Sequence, residues 1–168
     1  MELNTAQMDR LPQIEALFQA VNAQMEREGI AIWDDIYPAV AFPEDIRQKR
    51  LYVLTQGPEL LGAFALCPWT LEGSGMGWAE PDEPACCLER LAVRVDRRGE
   101  GLGAAALEHA AKLAREQGAR YLRLLVADFN APAIGLYEKC GFRRVEGIYK
   151  LEIDGSLIMQ EYGFERKL

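Results

Sequence analysis

Apolar residues recur at helical spacing near the start of the chain. Leu11, Ile14, Leu17, Phe18 and Val21 fall on one face of a helix, with Gly29 as its stop. Met1-Glu-Leu-Asn ahead of it reads as a short strand, with Asn4 or Thr5 as the helix cap. Residues 30–42 lose the periodicity and carry Trp33, Tyr37 and Phe42 among prolines, after which Pro43-Glu-Asp-Ile opens a second, short helix. The pattern then turns to strands. Arg50-Leu-Tyr-Val-Leu-Thr, a turn at Gly57-Pro58 and Leu60-Leu-Gly-Ala-Phe-Ala-Leu predict a hairpin. Residues 72–84 read as a loop, and Cys86 to Val95 is apolar enough for a central strand. Residues 101–118 give the clearest helix, closed by Gly118. Tyr121-Leu-Arg-Leu-Leu-Val is a strand, and Ala131 to Lys139 is a short helix with Pro132 in its first turn and Gly141 at its end. Residues 142–151 and 156–167 complete an antiparallel pair. The predicted order is β-α-α-β-β-β-α-β-α-β-β, an α/β (α+β) fold with a mixed sheet and helices on its faces. No repeat, low-complexity tract or linker interrupts it, so residues 1–168 are expected to form a single domain.

Composition narrows the class. Hydrophobic residues make up 49% and charged residues 27% of the 168, the mixture of a soluble globular domain, and no apolar run reaches the roughly 18 to 20 residues of a membrane span. Disorder, collagen and membrane classes are excluded. Met1-Glu-Leu-Asn begins acidic and polar rather than as a signal peptide, so a cytoplasmic location is expected. Cys67, Cys86, Cys87 and Cys140 form no C-x-x-C pair, and with His109 as the single histidine there is no zinc set; no metal is expected, and the cysteines read as buried reduced thiols. His109 falls on or beside the helical stripe Leu102, Ala106, Ala110 and Leu113, where packing is its expected role.

The net charge of -7 is unevenly placed. Residues 51–89 hold no Lys or Arg and carry Glu59, Glu72, Glu80, Asp82, Glu83 and Glu89, whereas residues 90–168 are net basic. Nucleic acid is a poor partner for such a chain, since phosphate contacts need a concentrated basic face. A small molecule with phosphates at one end, and an amine-bearing substrate attracted by the acids, would suit it.

One segment carries chemistry on physical grounds. A strand, then Asp96-Arg97-Arg98-Gly99-Glu100-Gly101-Leu102-Gly103-Ala104, then a long helix is a phosphate cradle. The glycines let bare N–H groups approach an anion, the helix start adds a partial positive charge, and Arg97 and Arg98 add full ones. There is no Gly-Lys-Ser/Thr, so a nucleotide-triphosphate P-loop is excluded. Gly99-x-Gly101-x-x-Ala104 formally fits the dinucleotide fingerprint, but the acid at the end of the next strand, Asp128, comes too late, and too few α/β units remain.

At these residues the chain resembles the GNAT superfamily of acyl-CoA-dependent N-acetyltransferases. Arg98-x-x-Gly101-x-Gly103 matches that family's pyrophosphate-binding motif, Q/R-x-x-G-x-G/A. Leu91-Ala92-Val93 stands where its central strand splays open against the cofactor. Asn130, Ala133 and Leu136-Tyr137-Glu138-Lys139-Cys140-Gly141-Phe142 match its N-x-x-A-x-x-L-Y-E-K-x-G-F signature. The match is in register from about Glu89 to Phe142. The residues around Trp33, Tyr37-Pro38 and Asp45-Ile46 also resemble a bacterial subgroup of the family.

The resemblance implies acetyl-CoA as cosubstrate. Its pyrophosphate would lie on the N–H groups of Gly99, Glu100, Gly101, Leu102, Gly103 and Ala104 beside Arg98, and its pantetheine arm along Leu91, Ala92 and Val93. A backbone N–H near Val93 would polarise the thioester carbonyl, Asn130 would hold the cofactor arm and the strand-to-helix junction, and Tyr137 would protonate the departing thiolate. Glu89, just before the splay, is the candidate base. By strand alternation it shares a face with Leu91 and Val93. Glu80, Asp82 and Glu83 are further acids that could attract a cationic amine. Ribosomal-protein N-terminal acetyltransferases place a glutamate on the next strand, where this chain has Leu125, which counts against that substrate class. The expected acceptor is a small-molecule amine. A protein lysine or N-terminus, and a GNAT-fold module that senses acyl-CoA without turnover, stay open as alternatives. A homodimer also stays open, because the final strands of this fold often pair across dimers.

Overall fold

A computed structural model describes residues 1–34, 36–70, 75–154 and 157–168. The elements in chain order are β1 Glu2–Thr5, α1 Leu11–Arg27, α2 Phe42–Arg47, β2 Leu51–Gln56, β3 Glu59–Pro68, β4 Ala85–Val93, α3 Leu102–Glu116, β5 Tyr121–Ala127, α4 Ala131–Lys139, β6 Arg143–Arg144, β7 Tyr149–Asp154 and β8 Leu157–Lys167. They fall into two compact units, Met1–Cys67 with Leu88–Ala110, and Pro68–Cys87 with Ala111–Leu168.

The first unit is antiparallel. β1 pairs β2 with Leu3 opposite Leu54, and β2 pairs β3 with Tyr52 opposite Phe64. β2 is buried at every position from Leu51 to Thr55, the continuous apolar run of a strand covered on both faces. Ile14, Leu17 and Phe18 are the buried face of α1, and the Phe18 ring meets Phe42 at 4.7 Å and Trp33 at 5.2 Å. The cap expected at Asn4 or Thr5 is not used. A single 3-10 turn over Met8–Arg10 intervenes, and the helix starts at Leu11 with Pro12 in its first turn. Gly29 closes it with φ 75°, as the sequence predicts.

In the second unit Ala85–Cys87 of β4 run parallel to Tyr121–Arg123 of β5, and β5 pairs β8 antiparallel from Tyr121 opposite Lys167 to Ala127 opposite Glu161. The final pair expected from residues 142–151 and 156–167 is present, but its first strand is split into β6 and β7, both paired to β8. The cause is local. Gly77 N donates to Glu146 O at 2.8 Å, and a Cβ on Gly147 (φ 98°) would lie 3.2 Å from Gly75 O, so the segment from residue 75 to 77 occupies the backbone that would continue the strand. Arg123 is fully buried on β5 with its guanidinium 5.1–5.4 Å from the Trp69, Trp78 and Tyr121 rings, its Nη2 on Glu80 O at 2.7 Å and its Nε 3.4 Å from Glu165. No helix among the described residues is long and apolar enough to cross a membrane.

Candidate active site

In the first unit β4 is not a regular strand. Arg90 takes φ 51°, the left-handed region that L-residues with a branched or long side chain avoid. A left-handed residue inside a strand makes a bulge and breaks the two-residue repeat. The alternation that would place Glu89 on the face of Leu91 and Val93 therefore does not carry across Arg90. The neighbouring strand is shaped for this. A Cβ on Gly62 of β3 would lie 2.9 Å from Ala92 O and 3.0 Å from Val93 Cγ1, so only glycine permits the approach. Gly62→Ala is expected to lower stability by about 1–3 kcal/mol, because a backbone oxygen has to move. A urea midpoint equal to that of the wild type would contradict it.

Arg90 is held on all sides within this unit. Its Nε lies 2.9 Å from Asp45 Oδ2, a contact close enough for a strong ion pair but not aligned as a hydrogen bond. Its Nη1 is 2.6 Å from Glu89 Oε2 and 3.4 Å from the Tyr37 hydroxyl, and its Nη2 is 3.7 Å from Cys67 Sγ. Asp45 of α2 is fully buried and also accepts from Arg50 Nε at 2.6 Å. Burial, helped by the charge of Glu89, pushes the Cys67 thiol up to about 11, which keeps it protonated at neutral pH. All four cysteines are free.

The glycine segment after β4 has the geometry of an anion cradle. Gly99 and Gly101 take φ 90° and 77°, and a Cβ on either would meet nothing within 4 Å. The space above the loop is open, and the conformation is one that glycine adopts without strain. The first helical hydrogen bond of α3 runs from Ala105 N to Gly101 O at 2.9 Å, so the N–H groups of Leu102, Gly103 and Ala104 have no intrahelical acceptor, whereas the Glu100 N–H donates to Arg97 O at 3.3 Å. Leu102 is buried and anchors the helix start, while Gly103 and Ala104 are partly exposed.

The full positive charges expected of Arg97 and Arg98 are offset. Arg97 pairs with Glu100 at 2.6 Å and Glu59 at 3.1 Å, and Arg94 pairs with Glu59 at 2.6 Å and Asp96 at 2.5 Å. Arg98 makes a two-pronged contact with Glu28, at 2.5 and 3.2 Å. The Arg98 hydrogen bond, with a smaller one from Gln24, pulls the Glu28 carboxyl down to about 2. That contact is complete above the ordinary carboxylate range and is lost only as pH falls through about 2. Glu28→Gln is expected to release Arg98 and tighten binding of a phosphate-bearing ligand at the cradle by about two- to fivefold at low salt, the worth of one exposed pair. Calorimetry checks this, and weaker or unchanged binding would show that Glu28 presents Arg98 rather than competing for it.

In the second unit Asn130 is the N-cap of α4. Its side chain accepts from Ala133 N at 3.3 Å, which explains the spacing between those two positions. Tyr137 is buried on α4, with its ring 5.8 Å from Phe142 and 6.1 Å from Phe164. Burial, with a smaller contribution from Cys87, raises the Tyr137 hydroxyl above its ordinary value, so it stays protonated throughout the neutral range. Of the acidic loop, residues 72–74 with Glu72 lie outside the described residues. Glu80 is spent on structure: it accepts from the Tyr121 hydroxyl at 2.6 Å and Lys167 Nζ at 3.0 Å, which lowers its carboxyl. Glu83 lies 3.4 Å from Arg120, and Asp82 is exposed.

A family model described as the acetyltransferase (GNAT) family matches residues 14–142. The chain belongs to that family. The match takes in the strand bulge, the glycine cradle, the Asn130 cap and Tyr137. Among curated relatives, streptothricin acetyltransferase of Streptomyces lavendulae is 46% identical over 55 residues, 33% of this chain and 29% of that protein. The matched stretch thus spans less than a third of that relative's length. A GNAT-family acetyltransferase from Streptococcus agalactiae has a similar structure (TM-score 0.81, 18% identity, 99% of this chain and 95% of that one). A Salmonella typhimurium protein solved with acetyl-CoA as its cofactor also has the fold (TM-score 0.69, 15% identity, 100% of this chain and 94% of that one).

Sequence reasoning did not assign a role to Asp45, Arg50, Arg90 or Gly62. A glycine inside an otherwise apolar strand is a signal of close backbone approach, and Gly62 could have been read so. Nothing local marks the Asp45–Arg90 pair, which only the fold brings together.

Proposed function

We propose that this GNAT protein is an N-acetyltransferase that moves an acetyl group from acetyl-CoA to the primary amine of a small molecule. We read residues 1–168 as one catalytic domain, since a single family model draws on residues of both compact units. The observation that carries the reading is the cradle. Two left-handed glycines with open space above them, followed by N–H groups at a helix start that have no intrahelical acceptor, fit a pyrophosphate in both shape and charge. Glu59, Asp96, Glu100 and Glu28 pair with Arg94, Arg97 and Arg98 and leave little free positive charge there, so backbone donors supply most of the attraction.

Acetyl-CoA, when bound, supplies an acyl group activated as a thioester. Gly99 to Ala104 and Arg98 would hold its phosphates, Leu91 to Val93 its pantetheine arm, and Asn130 the amide of that arm through its side chain. The irregular backbone after Arg90 is suited to turning an N–H of Leu91, Ala92 or Val93 toward a carbonyl oxygen, where the donor gains strength as negative charge develops. An alkyl amine with a pKa of about 10.4 is protonated at neutral pH, so a base must take its proton. Glu89 is the group we assign, directly or through one water, with its carboxylate held at 2.6 Å by Arg90. Tyr137 then gives its hydroxyl proton to the departing thiolate. Streptothricin, named for the curated relative above, belongs to the class of small amine-bearing molecules we expect as acceptor.

The test is thiol release from acetyl-CoA with a panel of amino acids, polyamines, aminoglycosides and lysine peptides, with product masses recorded. Release that depends on a small amine is expected. Release with peptides only, or with none of the panel, would contradict the reading.

A further inference from the structure

Asp45 and Arg90 carry an inference that rests on the proposed acetyl transfer and goes beyond it. Arg90 occupies a left-handed backbone position that costs free energy unless its surroundings enforce it. Its side chain is 7% exposed and its guanidinium is tied to α2 through Asp45, to Cys67 at the end of β3, to the hydroxyl of Tyr37, and to Glu89 beside it in the chain. Asp45 is 0% exposed and faces two arginines at once, hydrogen-bonded to Arg50 at 2.6 Å and ion-paired with Arg90 at 2.9 Å. Two cations and two carboxylates, Asp45 and Glu89, balance within the cluster. The Asp45–Arg90 pair at its centre is expensive to bury, and hydrophobic residues of similar volume would often be as stable. Its value is therefore sought in what it fixes.

We propose that Asp45 is a positioning residue for acetyl transfer: by clamping Arg90 it holds the bulge of β4, and so sets the direction of the Leu91–Val93 N–H groups and the place of the Glu89 carboxylate. Arg90 is the arm of this clamp. Its planar fork spans Asp45 on one edge and Glu89 on the other, which an ammonium cannot do. Gly62 supplies the room on β3, and Asp45 supplies the hold.

The test compares Asp45→Asn and Arg90→Lys with the wild type by amide hydrogen exchange in the unliganded protein and by steady-state kinetics. Arg90→Lys keeps the charge facing Asp45 and decides the matter if Asp45→Asn fails to fold. Exchange at Leu91–Val93 is expected to rise about tenfold or more, while Leu122, Leu124 and Phe164 in the β5–β8 ladder stay as in the wild type. In the kinetics kcat is expected to fall about tenfold or more, with the KM for acetyl-CoA within about threefold. Unchanged exchange at Leu91–Val93, equal acceleration in both regions, or a loss confined to KM would overturn the proposal. If the wild type itself transferred no acetyl group, the acetyltransferase reading would fall, and the exchange comparison would still decide whether the clamp holds the bulge.

Discussion

Gly101→Glu is expected to abolish acetyl-CoA binding, raising the dissociation constant more than about 100-fold, while leaving a folded protein. Gly101 has φ 77°, where any L-residue is strained by roughly 1–2 kcal/mol. Its Cβ would meet no protein atom within 4 Å, so the substitution does not break the packing of the fold. The damage falls on the ligand. The side chain would stand in the open space where a phosphate would sit, and it would add an acid to a loop whose arginines are already matched by Glu28, Glu59, Asp96 and Glu100. Gly101→Ala separates the two causes, since it carries the backbone strain without the charge, and a smaller loss is expected. Calorimetry reads both, and wild-type affinity in Gly101→Glu would show that the cradle is not the phosphate site.

Tyr137→Phe is expected to lower kcat by about 10²- to 10⁴-fold, the usual worth of a positioned general acid, with acetyl-CoA affinity within about twofold of wild type. The ring contacts with Phe142 and Phe164 survive the change, so stability should be nearly kept. Because burial raises the hydroxyl, its protonated form persists well above the ordinary tyrosine value, and wild-type kcat should show no alkaline loss from this group below about pH 10. Isothermal binding and a pH–rate series check the two halves. Parallel loss of affinity and turnover would make Tyr137 a packing residue rather than the acid.

Much of this was legible locally. Pro132 and Gly141 fix α4 at Ala131–Lys139, where the sequence places it, and Gly118 with φ 88° stops α3. The hairpin turns at Gly57-Pro58 as its residues demand, between β2 and β3. The misses are long-range. The start of α1 is set by a 3-10 turn and Pro12 rather than by the polar residues that favour caps. The split of β6 from β7 comes from a distant segment bonding to Glu146. At the site, the glycine spacing shows the cradle, but not that Arg98 is met by a carboxylate 70 residues away. Alternation fails at Arg90 because an L-residue there is forced into a conformation that no propensity would select. The clamp that enforces it joins residues from four separate stretches of chain.

The most direct test of the account is calorimetric titration of the purified protein with acetyl-CoA, with free CoA and NAD as comparisons. Micromolar binding of the two CoA species, with none of NAD, is the predicted result. Absence of CoA binding, or a preference for NAD, would contradict the assignment of the cradle and with it the proposed acetyl transfer.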